Sequence, residues 1–319
     1  MPKMPVISGV SKKELAWVVI VLLAFYVFVP QLKSFAGSLH LLTHPGINNV
    51  IFSSIFIVAT FIFAALTYSF LSRGKIPFSE EFIIQVAAMF VNRLLPAGIG
   101  GIGANYAYLR HKRVKTAEAA SMVAMNNIMG VFAHLMILVI TVLFFAGNNT
   151  FQFSGLKHGI RHILVIGTIV LIVGVIILLC LRLAKIKSIV KDFLTQISSY
   201  RFHPYLTGLA LFSQLALSAF NILSLSFSAK AVNIDLSFAA ILIVYSLGAL
   251  ISHFVPTPGG LGGFEAGLAA GLVAYGVDKS SSLAAVLLYR IISYWAPLVL
   301  GALAFIYVQK QNWLSASKA

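Results

Sequence analysis

Cysteine, acidic residues and polar stretches are what this chain has least of. Its one cysteine, Cys180, sits in an apolar run. That excludes a disulfide within the chain and a thiolate metal site, and leaves a small buried or lipid-facing hydrophobe. Asp and Glu number only 8 in 319 residues, and no HExxH, Asp-rich or HxxxxD pattern is present. No Gly-Lys-Ser/Thr follows a strand-like segment, so a nucleotide phosphate loop is excluded as well. These absences point away from an enzyme and from any cofactor. Loops are short, so activity is expected within a membrane or at its faces.

What is abundant is apolar surface. Mean hydropathy is +0.96, 60% of residues are hydrophobic and only 10% are charged, the composition of a polytopic helical membrane protein. The net charge of +15 would suggest nucleic acid in a soluble protein, but the basic residues fall in a few loop clusters, so no nucleic-acid partner is expected. Long apolar runs lie at about 15–32, 47–71, 117–146, 163–181, 204–228 and 282–308. Each is long enough to cross a hydrocarbon core of about 30 Å. The first follows Lys3, Lys12 and Lys13 like a signal peptide, yet Val27–Lys33 offers no small-x-small cleavage site, so a retained helix is expected.

Two further apolar stretches are interrupted. Pro96-Ala97-Gly98-Ile99-Gly100-Gly101-Ile102-Gly103 divides one, and Pro256-Thr257-Pro258-Gly259-Gly260-Leu261-Gly262-Gly263 the other. Such runs are expected to break a helix and free backbone polar groups, which lipid tolerates only inside protein or beside a wet cavity. The pieces on either side, Glu81–Leu95 with Ala104–Leu109 and Phe238–Val255 with Phe264–Tyr275, are too short to read as pairs of full crossings. Each is therefore expected as a re-entrant helical hairpin, at about 81–109 and 238–275.

The basic residues orient this arrangement. With a cytoplasmic N-terminus, 16 Lys and Arg fall on the cytoplasmic side and 5 outside (Lys33, Lys157, Arg161, Lys230 and Lys279). Arg93 and Arg290 remain within the membrane, accounting for all 23. The expected fold is an all-α polytopic membrane domain over 1–319, with about six full transmembrane helices and two opposed re-entrant hairpins in an inverted repeat. One half covers about 47–181 and the other about 204–308; 182–203 is expected as a cytoplasmic amphipathic connector, or else a solvated one. The expected location is the cell membrane, with both termini cytoplasmic.

Ionisable groups inside hydrocarbon are costly, so Arg93, His134, His253, Glu265 and Arg290 become the candidates. Glu265 falls in the first turn of a half-helix, where the dipole favours a carboxylate and free N–H groups attract an anionic headgroup. Arg290 is expected either to pair with Glu265 and lock the hairpin, or to grip a lipid phosphate through its planar fork. Arg93, three residues before Pro96, either caps freed carbonyls or joins the site. Asn126, Asn127 and Asn221 lie mid-span, as inter-helix hydrogen-bonding groups or ligands. The expected translocation set is Glu265, Arg290, Arg93, Gly259, Gly260, Gly100, Gly101, Asn126 and Asn127, with no metal ligand.

The run Pro256–Gly267, followed by Ala284-Ala285-Val286-Leu287-Leu288-Tyr289-Arg290-Ile291-Ile292-Ser293-Tyr294-Trp295, closely resembles the flippase-like membrane family, that of the lysylphosphatidylglycerol synthase transmembrane region. The resemblance covers roughly 250–305, with a weaker match over about 90–140. It implies a membrane domain that moves aminoacylated phosphatidylglycerol or other lipids between leaflets, with Glu265 and Arg290 at motif positions. The aminoacyltransferase of the fused members has no counterpart before Ala319, so a stand-alone member is expected. Around the first turn, where the family often carries charged residues, this chain has Gly101, Ala104 and Asn105, and in the next span Asn126-Asn127. The implied partners are membrane lipids, either an anionic phospholipid or a lipid-linked headgroup, with a homo-oligomer left open. The leading expectation is thus a lipid translocase; the alternatives are an intramembrane lipid-modifying enzyme using Glu265 as a base, or a non-transporting subunit of such an enzyme.

Overall fold

The computed structural model describes residues 45–95, 98–145, 203–254 and 257–314. The apolar runs at 15–32 and 163–181, Cys180 and the connector through 202 lie outside the described residues. Among the described residues every regular element is helical. In chain order these are α1 (Ile47–Leu71), α2 (Phe78–Leu94), α3 (Ile99–His111), α4 (Thr116–Phe145), α5 (Pro204–Ala231), α6 (Phe238–Phe254), α7 (Gly263–Ala274), α8 (Lys279–Arg290) and α9 (Ala296–Lys310). A 3-10 turn, Pro258–Gly260, precedes α7, and a π-helical turn, Ile291–Trp295, joins α8 to α9. Four of the described helices are long and apolar enough to cross a membrane: Ile47–Leu71, Thr116–Ile140, Pro204–Ala231 and the joined Lys279–Lys310. They present large hydrophobes outward, such as Ile51, Val131, Phe212 and Leu303, as a chain surrounded by lipid does.

α1 and α5 form the central pair. Ser53 Oγ lies 2.8 Å from Ser224 Oγ and 2.9 Å from Ser228 Oγ, all three fully buried. These small hydroxyls let the two backbones approach and bond across the interface. Gly46 N–H donates to the Ala231 carbonyl at 2.8 Å, so α5 ends where α1 begins and the pair is antiparallel.

α2 and α3 form one antiparallel hairpin and α6 and α7 another. In the first, Gly101 N–H donates to Asn92 Oδ1 (3.1 Å), Gln85 to Asn105 Oδ1 (2.6 Å) and the Tyr108 hydroxyl to Glu80 (2.7 Å). Those contacts zip the arms from tip to mouth. In the second, glycine brings the backbones together: a Cβ on Gly267 would meet Gly248 Cα at 2.7 Å, and one on Gly271 would meet Val244 at 3.1 Å. The first mouth opens beside the end of α1, a six-residue link away. The second opens beside its beginning, at the loop that follows Ala231. The two hairpin mouths therefore lie at opposite ends of α1. The first hairpin also packs on α9 through α2, and the second on α4 through α6.

The breaks are narrower than the glycine runs. Gly100, Gly101 and Gly103 belong to α3, whose N-cap is Gly98 in the left-handed region (φ 75°). Gly100 is required inside that helix because a Cβ there would sit 2.3 Å from the Val91 carbonyl oxygen. A further difference falls in the last apolar run, expected as one continuous span. Pro297 lacks the N–H that the Ser293 carbonyl would accept from, and its ring crowds that carbonyl. The chain widens into the π turn at that place.

Five of the described helices end in the same way: α1 through Gly74, which donates to the Ser69 carbonyl behind left-handed Arg73, and four others with an apolar residue in that place. Val114, Ile234, Val277 and Trp313 each donate an N–H back five residues, to Leu109, Ala229, Leu272 and Val308. The residue before each is left-handed: Arg113, Asn233, Gly276 and Asn312. All five are Schellman closures, the last four folding an apolar side chain back into the core.

Candidate functional site

Three elements converge on Tyr294. The second hairpin's turn supplies Gly259 (φ 63°), whose missing side chain leaves room for the Tyr294 ring; a Cβ there would lie 2.6 Å from Cε2. The first hairpin supplies Arg93 from the last turn of α2. The π turn supplies Tyr294 itself, and α8 ends in Arg290. The Arg93 and Arg290 guanidinium carbons lie 4.6 and 4.8 Å from the Tyr294 ring centre, both in cation–π range.

Each arginine is held differently. Arg93 donates through Nη2 to the Ser293 carbonyl and through Nη1 to the Tyr294 carbonyl. The Ser293 carbonyl is the one Pro297 deprives of its helical donor, so Arg93 fills a vacancy made by sequence elsewhere. Arg290 Nε donates to Glu265 Oε1 at 2.6 Å, with both residues only 7% exposed. Phe264 covers its face at 4.9 Å. Its Nη2 is buried with no hydrogen-bond partner among the described residues. Glu265 is the third residue of α7, and its Oε2 accepts from the Gly262 N–H at 2.7 Å, so the carboxylate also caps the half-helix. The centre thus holds two cations and one anion, leaving one positive charge in excess.

Of the nine residues expected from sequence, Glu265, Arg290, Arg93 and Gly259 meet here. Gly260 (φ 68°) shapes the same turn against Ser252, while Gly100 and Gly101 join the arms of the first hairpin. Asn126 and Asn127 make other contacts. Asn126 Oδ1 accepts from Gln214 (2.7 Å), tying α4 to α5, and exposed Asn127 donates to the Val123 carbonyl of its own helix (2.7 Å). Asn221 likewise bonds back to Leu217 (3.0 Å), and His134 lies against the Tyr245 ring. Sequence reasoning passed over Tyr294 and the effect of Pro297; the proline inside an apolar run was the available signal. It also passed over Glu81, which lies on α2 and is 1% exposed. That residue stands at the edge of its apolar segment, beside Glu80, and reads from sequence as a solvated pair.

The profile of the family described as "Lysylphosphatidylglycerol synthase TM region" matches residues 9–301. A UPF0104 membrane protein of Methanocaldococcus jannaschii is 27% identical over 242 residues, covering 72% of this chain and 98% of that protein. Another UPF0104 membrane protein, from Methanothermobacter thermautotrophicus, is 34% identical over 73 residues, 23% of this chain and 22% of that protein.

Proposed function

This chain belongs to the lysylphosphatidylglycerol synthase TM region family, and from that premise we infer that it is a lipid translocase moving an anionic headgroup between leaflets. The observation that carries this reading is the buried centre at Tyr294, with its excess positive charge and an Arg290 Nη2 that has no hydrogen-bond partner among the described residues. An isolated charge in a bilayer costs at least about 2.5–3.5 kcal/mol, so a second cation beside a single carboxylate favours an anionic ligand. A phosphate bound there would take the free Nη2–H and exchange with Glu265 for the guanidinium. On this reading the hairpins are re-entrant: α2 and α3, with 17 and 13 residues, rise about 26 and 20 Å and fall short of a bilayer core. Their entry from opposite ends of α1 makes the two halves an inverted repeat, with the site where the halves meet.

The cytoplasmic face is then the one that gathers Arg73, Lys75, Arg110, Lys112, Arg113, Lys115 and Lys310. The other end of the described helices carries Lys230 and Lys279. The role is transport rather than catalysis, with no cofactor, and membrane lipids are the partners.

Vesicles reconstituted with the full chain and a headgroup-labelled phospholipid provide the test. Glu265→Gln and Arg290→Ala should slow lipid movement tenfold or more, since losing a charge-assisted bond costs about 1.5–3 kcal/mol. Arg290→Lys should recover little, because an ammonium lacks the planar fork. Movement at the wild-type rate in both charge-removing variants would make the pair purely structural.

A further inference from the structure

Along α2, the residues Glu81, Gln85, Ala88 and Asn92 recur at steps of four, three and four, which places them on one face. Opposite them on α3 stand Gly101, Asn105 and Tyr108, again on one face. Two of the facing pairs are bonded: Gln85 to Asn105 Oδ1 at 2.6 Å and Gly101 N–H to Asn92 Oδ1 at 3.1 Å. Asn105 Nδ2 closes the chain by donating to the Gly101 carbonyl at 2.9 Å. A polar seam therefore runs inside the first hairpin from Asn92, next to Arg93, down to Gln85. Beyond Gln85, toward the mouth, lies Glu81.

Glu81 is 1% exposed, and neither carboxyl oxygen has a hydrogen-bond partner among the described residues. Gln85, one turn along the helix, stands close enough to act on that carboxyl as a neutral donor, and its amide also bonds Asn105 Oδ1 at 2.6 Å. From α1, Tyr68 acts on Glu81 electrostatically; Tyr108 does so from α3, Lys112 from the loop after α3, and Glu80 from its own helix. Lys112 is already paired with Glu80. α9, also packed on α2, has Tyr307 and Lys310 as its titratable groups, both exposed. The Pro258–Gly260 turn brings no titratable group. An ionised carboxylate buried here, with a neutral amide beside it and Lys112 already paired, would be among the costliest groups a protein can bury, whereas the neutral acid carries no such penalty.

We propose that Glu81 is a proton-binding site, holding its proton in this closed arrangement of the hairpin and releasing it through the mouth when the arms part. On release the O–H bond breaks, its electron pair stays on the carboxylate, and the proton passes to water at the mouth. The Gln85 amide then turns from Asn105 to the new anion and loosens the seam that ends at Arg93. Coupling of that proton to lipid movement rests on the translocase reading; the protonated acid does not.

The test uses the full chain in vesicles of phosphatidylglycerol and phosphatidylcholine. Infrared spectra at neutral pH should contain the carbonyl stretch of a protonated carboxyl that Glu81→Gln removes and Glu80→Gln keeps. Absence of that band, or its survival in Glu81→Gln, overturns the proton site. With a headgroup-labelled phospholipid, an imposed pH gradient should change the wild-type rate several-fold and leave Glu81→Gln indifferent. Glu81→Asp, which keeps the acid, should keep the response, and it serves if Glu81→Gln does not fold. A gradient response unchanged in Glu81→Gln overturns the coupling. A wild-type chain that moves no lipid while showing the band refutes the translocase reading and leaves the proton site standing.

Discussion

At the scale of residues, Tyr294 is the junction on which both guanidiniums rest. Its hydroxyl reaches the Arg93 carbonyl only at 3.4 Å, so the ring matters more than the oxygen. Tyr294→Phe should unfold in detergent close to wild type. Tyr294→Leu should lose two cation–π contacts, about 1–4 kcal/mol together, visible as a lower melting temperature. At the mouth of the first hairpin, burial pushes the Glu80 carboxyl up. The hydrogen bonds from Lys112 and Tyr108, with the Lys112 charge, outweigh burial and hold it below the usual carboxylate range. A carboxyl lowered by folding stabilises fully above its unfolded value, and that gain is lost as pH falls through the lowered one. The melting temperature of Glu80→Gln should therefore trail wild type at neutral pH and converge with it in acid. The Glu265–Arg290 pair was legible because two charges in apolar runs have few solutions. The anchoring of Arg93 was not, because it depends on a carbonyl that Pro297 orphans about two hundred residues along the chain.

At the scale of elements, the described helices repeat the apolar runs almost residue for residue, as α1 at Ile47–Leu71 illustrates. Hydropathy fixes such runs directly, since lipid tolerates little else. Glycines were less readable, because the same residue serves as breaker and as packing surface. The structure separates the two uses, and substitution should do so as well. Gly100→Ala drives a Cβ into rigid backbone and should cost the upper part of about 1–3 kcal/mol or more. Gly248→Ala meets chiefly the end of Leu268 at 2.8 Å, which can shift, and should cost less. Gly103→Ala meets nothing within 4 Å in a helical position and should stabilise by up to about 1 kcal/mol. Thermal unfolding of the three in one detergent orders them.

At the scale of the whole molecule, the arrangement follows from two mouths at opposite ends of one central pair. With Cys180 replaced, single cysteines beside Lys112 should be labelled from the cytoplasm and those beside Lys279 from outside. The reverse pattern, or labelling of both from one side, would overturn the orientation. That two helical hairpins form around the glycine breaks was readable from the short apolar arms on either side. The packing of α2 on α9 and of α6 on α4 was not, since no local pattern encodes which distant helix a face will meet.

The π turn has a consequence in the language of insertions and deletions. One turn of α-helix takes 3.6 residues, so a single residue added or removed rotates everything beyond it by about 100°. Ile291–Trp295 is in effect one residue spliced into the last helix, and it sets α8 and α9 at different rotational phases. Beyond it, Gly301 lies flush against Val86 and Phe90, where even a Cβ would come within 2.9 Å. Deleting one residue from this stretch would restore a regular helix, swing Gly301 off α2 and bring a side chain into its place. The final helix thus tolerates changes of residue type far better than changes of length.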